Sequence, residues 1–94
     1  MGRRARLRPE RLAEKLLQVR LALGLSQTEL LRQLGFEELI HYSRISEYEL
    51  GKNEPPLPIL LRYGEVAGIC VDVLIDDEVD LPDRLPSKAK HSPK

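Results

Sequence analysis

The stretch Gly24-Leu25-Ser26-Gln27 leaves the backbone few local choices. An apolar series at helical spacing ends at Leu23, and Gly24 suits the left-handed residue that closes a helix. Ser26 can cap the next helix by accepting from the amide of Thr28 or Glu29. Glu29, three residues on, supplies the second half of a capping box. A helix, a tight turn and a second helix are therefore predicted within a few residues.

The rest of the chain is punctuated in the same way. Pro9 fits a first helical position, and Leu12, Leu16, Leu17, Leu21 and Leu23 form a 3.6-period stripe behind it. A second helix is predicted from about Gln27 to Leu34, stopped by Gly35, and a third is centred on Ile45 to Leu50 and stopped by Gly51. Pro55, Pro56 and Pro58 start a fourth, whose apolar residues Ile59, Leu60, Leu61, Tyr63, Val66 and Ala67 lead to Gly68. Val71, Val73, Leu74 and Ile75 predict a short fifth helix. Their β-branched content also suits a strand, but an all-helical context offers no strand to pair with. Asp76-Asp77-Glu78 is expected to end the folded part. This gives a basic flexible arm at 1–8, one domain at 9–76, and an acidic-then-basic, disordered tail at 77–94.

Ninety-four residues with 41% hydrophobic content can build one small core. A single cysteine excludes an internal disulfide, and no Cys/His cluster has zinc-ligand spacing, so no metal is expected. The basic start, Arg3 to Arg8, has no apolar stretch behind it to act as a signal peptide, and no 18-residue apolar run occurs. The expected location is the cytoplasm. The net charge is zero, yet its distribution is polarised. Seven basic residues against Glu10 and Glu14 fill positions 1–20, and seven acids with no base fill positions 65–83.

Three residue sets agree on a resemblance. They are the Gly-x-Ser-Gln helix start at Gly24, the run Ile45-Ser46-Glu47-Tyr48-Glu49-Leu50-Gly51, and Arg20 seven residues before Gln27. Together the chain resembles the Cro/CI-type (XRE-like) helix-turn-helix transcriptional regulators over roughly Leu12 to Ile75. The resemblance implies an all-α, compact five-helix domain that places its third helix in the major groove of DNA. It also implies that Arg20 pairs with Glu49 to set helix register, and that Gln27 touches a phosphate and braces the recognition helix.

Helical spacing sorts the third helix into two faces. Ile45 and Tyr48, three apart, point to the core, while Ser43 and Glu47 lie opposite with Arg44 and Ser46 on the flanks. That polar face is the one such a domain presents to DNA. Tyr42 would stand at its tip, and Lys52 and Asn53 resemble the family's backbone-contacting loop. With Gln27 and Thr28 these complete the expected DNA-binding set. A carboxylate at Glu47 repels phosphates, but it can accept from a cytosine amino group.

Two departures from the family pattern concern the same region. Nine residues, Phe36 to Arg44, separate Gly35 from Ile45 where the family usually has five, and Leu31 replaces a small alanine. A lengthened turn over 36–40 is expected to let the recognition helix, beginning near His41, sit farther out, with Phe36, Leu39 and Ile40 filling the gap.

Other chemistry is sparse. His41 and His91 do not suggest a metal site, and Cys70 reads as a half-buried cap of the fifth helix. No nucleophile, base and acid occur at motif spacing and no phosphate-cradling glycine loop is present, so neither enzyme activity nor a cofactor is expected. The function expected is sequence-specific double-stranded DNA binding by a homodimer. The alternative is a protein-interaction module or antitoxin-type partner that keeps the fold, with the acidic segment 72–83 offered to a protein partner.

Overall fold

Each predicted apolar stripe becomes the buried side of a helix. The computed structural model describes residues 8–86, and in it the elements run α1 (Leu12–Leu23), α2 (Gln27–Leu34), α3 (Ser43–Glu49), α4 (Leu57–Ala67) and α5 (Val71–Ile75). No strand occurs among the described residues, so the segment after Gly68 is helical as expected. Leu16 and Val19 of α1, Leu30 and Leu34 of α2, Ile45 of α3, Tyr63 of α4 and Leu74 of α5 meet in one core. Leu21 and Leu61, expected on the apolar stripes, are exposed instead.

The turn between α1 and α2 forms as its residues dictate. Gly24 adopts φ 73°, its N–H donates to Leu21 O at 3.1 Å, and Leu25 N–H donates to Arg20 O at 3.2 Å. These two bonds satisfy carbonyls that the helix end would leave open. Ser26 Oγ accepts from Glu29 N at 3.0 Å, and Glu29 Oε1 accepts from Ser26 N at 2.8 Å. The latter bond holds the Glu29 carboxyl below its ordinary range. At the far end of α2, Arg62 of α4 donates to the carbonyls of Leu34 and Gln33 at 3.0 Å each.

The start of α1 differs from expectation. Pro9 lies ahead of the helix, which begins at Leu12. The Asp77 carboxylate accepts from the amides of Glu10, at 2.8 Å, and Arg11, at 3.0 Å. A residue from the other end of the domain thus does the work of a local cap, and those bonds hold the Asp77 carboxyl below its ordinary range.

The boundary expected at Asp76 is displaced for the same reason. Residues 77–86 pack back on the helices, with Leu81 and Leu85 half-buried against the core. Lys15, fully buried on α1, donates from Nζ to the carbonyls of Val73 at 2.9 Å, Asp76 at 2.8 Å and Val79 at 2.6 Å. Arg11 donates to Asp77 O at 2.9 Å and to Asp80 Oδ1 at 2.7 Å. The acidic stretch offered to a protein partner is thus partly engaged within the fold. Residues 1–7 of the arm and 87–94 of the tail lie outside the described residues.

Gly64, in the middle of α4, is the one glycine whose missing side chain decides packing. A Cβ there would lie 2.9 Å from Ile69 O and 3.3 Å from Val71 Cγ2, so α5 could not approach as closely. Cys70 precedes α5 as an exposed residue whose side chain makes no capping bond, which corrects its reading as a half-buried cap.

Candidate nucleic-acid interface

Seven residues make α3, a helix too short to be stable alone, so its orientation depends on what grips it. The grip is Glu49. Arg20 Nε donates to Glu49 Oε2 at 2.7 Å and Nη2 donates to Oε1 at 3.0 Å, a two-pronged pair between α1 and α3. Gln27 Nε2, in the first turn of α2, donates to the same Oε1 at 3.2 Å. One carboxylate therefore joins three helices. Its side chain is only 5% exposed, and its bonds raise the Arg20 guanidinium above its ordinary value.

The inner face of α3 is Ile45 and Tyr48, both buried. Ser43 and Arg44 are exposed on the outer side, and Ser46 and Glu47 are half-buried. Tyr42, half exposed, stands at the N-terminal tip beside His41, their ring centroids 4.3 Å apart. The α3 start is capped by a side chain that sequence reasoning passed over. His41 Nδ1 accepts from Ser43 N at 3.2 Å and lies 2.9 Å from Ser43 Oγ. Tyr42 has no cap oxygen of its own to offer, so an acceptor had to come from a neighbour, and that was the available signal.

The lengthened connection forms a separate turn, as expected. Phe36 O accepts from the amides of Leu39 at 2.9 Å and Ile40 at 3.0 Å, and α3 starts only at Ser43. Phe36 and Ile40 pack against the core beside buried Leu31, but Leu39 is 76% exposed and fills nothing. In a four-residue turn one side chain must face outward, and Leu39 takes that place. Thr28, exposed on α2, and Tyr42 line opposite sides of a groove of about 380 Å³ that this turn closes off.

Beyond α3, Gly51 ends the helix, and Lys52 N donates to Glu47 O at 2.9 Å. Lys52 is exposed. Asn53 is less free than expected, because its Nδ2 donates to Glu47 Oε1 at 2.7 Å. Arg44 Nη1 donates to the same oxygen at 3.3 Å. Close by, Arg8 pairs with Glu54 at 3.1 Å, so the root of the basic arm lies next to the loop that follows α3. A cleft of about 590 Å³ between the α1 start and this loop separates them from the core. Among the described residues, no cluster of three or more His, Cys, Asp or Glu side chains converges as a metal site would require. No helix among them is long and apolar enough to cross a membrane.

Comparison with known proteins yields one match. A family model described as helix-turn-helix matches residues 16–70, well over half of the chain, from mid-α1 to the N-terminal edge of α5. No curated protein and no solved structure gives a significant match.

Proposed function

The chain belongs to the helix-turn-helix family of Cro/CI type, a family of DNA-binding regulators, and from that premise we propose that it binds double-stranded DNA sequence-specifically as a homodimer. In this reading the outer face of α3 enters the major groove. Ser43, Arg44, Ser46 and Glu47 meet base edges, Tyr42 and Thr28 flank them, and Gln27 and Lys52 meet the backbone. The observation that carries it is the carboxylate of Glu49, held at once by Arg20 and Gln27. A rigid three-helix junction keeps a short helix at fixed register, which reading bases requires. A homodimer follows because one domain of this size offers DNA little area, and a palindrome doubles it. The protein would act in the cytoplasm, without a cofactor and without catalysis.

A second reading, a protein-interaction module or antitoxin-type partner, draws on the zero net charge and on Leu57 and Leu61, exposed one turn apart on α4. Selection of bound sites from random DNA, with salt titration and a mass measurement of the free protein, separates the two. The regulator reading expects a palindromic site, a dimer mass and a steep salt dependence, of slope about 0.9 per phosphate neutralised. A protein that selects no sequence contradicts it.

A further inference from the structure

The carboxylate of Glu47 is the one acidic group on the outer face of α3, and the two donors that reach it converge on a single oxygen. Asn53 Nδ2 and Arg44 Nη1 both donate to Oε1, at 2.7 and 3.3 Å, and among the described residues no donor reaches Oε2. The side chain is 35% exposed, so it is neither buried nor loose in solvent. The loop is folded to permit this, since Lys52 N donates to Glu47 O and brings Asn53 back over the helix.

We propose that Glu47 reads the amino group of a cytosine through Oε2, and that Asn53 is a positioning residue for it rather than a phosphate contact. This rests on the DNA-binding reading above. A carboxylate only accepts hydrogen bonds. In the major groove guanine offers acceptors alone, and thymine an acceptor and a methyl group. Adenine sets the N7 acceptor beside its amino group, where it repels a second oxygen. Cytosine offers its N4 donor without that neighbour. A free glutamate would lose side-chain freedom on docking, and the two donors on Oε1 remove that freedom beforehand. Arg44 also offsets the negative charge that would otherwise meet phosphates.

The test is site selection from random duplex DNA, followed by affinities for the selected site with each base at the Glu47 position. It compares the full-length protein with Glu47→Gln, Asn53→Ala and Asn53→Asp. The wild type should prefer cytosine there by about 10- to 100-fold over the other bases. Glu47→Gln should abolish that preference or move it to adenine. Asn53→Ala should keep the helical circular dichroism and the salt slope, and hold affinity for mixed-sequence DNA within about twofold, while preference falls at that one position by about threefold or more. Asn53→Asp, which repels Glu47, should lose more of it. Equal loss of affinity for all sequences in Asn53→Ala, with the cytosine preference intact, would put Asn53 on a phosphate and overturn its role. A selected site whose preferences survive Glu47→Gln overturns the assignment of Glu47 and leaves DNA reading standing. Selection of no site by the wild type overturns the DNA-binding reading itself.

Discussion

Helix α1 turns two cations away from solvent, and the chain satisfies them in opposite ways. Arg20 meets one carboxylate, Glu49, through two parallel hydrogen bonds. Lys15 meets no carboxylate at all and spends its three protons on the carbonyls of Val73, Asp76 and Val79. Each head group suits its partner. A planar guanidinium matches a planar carboxylate, whereas an ammonium is a compact charge with three donors that can serve the open carbonyls where a short helix ends. The two sites also divide the labour of the fold. The arginine site fixes α3, the element offered to DNA, and the lysine site fixes residues 76–86, whose Asp77 in turn caps the start of α1.

The largest expected effect falls on the lysine site. Lys15→Met keeps the volume and removes the donors, leaving three carbonyls without their partner. At roughly 1–3 kcal/mol for each unmet buried group, partly relieved by water, the loss should be about 4 kcal/mol in chemical denaturation. Amide exchange should rise in residues 76–86 more than in α3. A loss below about 1 kcal/mol would mean that this segment is held by Leu81 and Leu85 alone, and the contrast between the two sites would collapse.

The arginine site should respond somewhat less, because Gln27 remains on Glu49 when Arg20 is removed. Arg20→Met or Glu49→Leu alone should cost about 3 kcal/mol, the usual result of stranding one member of a buried pair. The double variant should cost clearly less than the sum, with a coupling of about 2 kcal/mol by double-mutant cycle. Exchange should rise in α3 and leave residues 76–86 protected. Additive losses would show that the pair does not couple α1 to α3.

These two sites also explain what the sequence could and could not disclose. Arg20 and Glu49 are both named residue types at a spacing fixed by Gln27, Ile45 and Gly51, so their partnership is written in identities. The helix ends are legible for a similar reason, since Ser26, Glu29 and Gly24 act on neighbours within a few positions. Lys15 bonds to backbone carbonyls, which every residue carries, and nothing in Val73, Asp76 or Val79 marks them as its acceptors. Asp77 caps a helix 66 positions earlier in the chain, and a run of acids at the end of a helix reads as solvated surface instead. Asn53 was equally opaque. As a loop residue it suits a phosphate or a neighbouring carboxylate, and only the return of the loop over α3 selects Glu47.

The smallest effect belongs to a group that lies near the arginine site without joining it. Tyr63 is fully buried, and its hydroxyl is the one buried side-chain polar atom without a hydrogen-bond partner among the described residues. Burial first, and then the nearby negative charge of Glu49, push its ionisation well above the ordinary tyrosine range. Tyr63→Phe removes a polar atom that already lacks a partner, so near pH 7 stability should stay within about 1 kcal/mol of wild type, on the stabilising side. The pH dependence should be the clearer readout. An acid whose folded pKa lies above its unfolded value contributes stability that is complete below the unfolded value, about 10 for tyrosine, and that declines as pH rises past it. The wild type should therefore lose stability above about pH 10, and Tyr63→Phe should lose less over the same interval. A loss of 2 kcal/mol or more at neutral pH, coupled to Arg20→Met in a cycle, would make the hydroxyl a working member of the arginine site, which would then rest on four side chains rather than three.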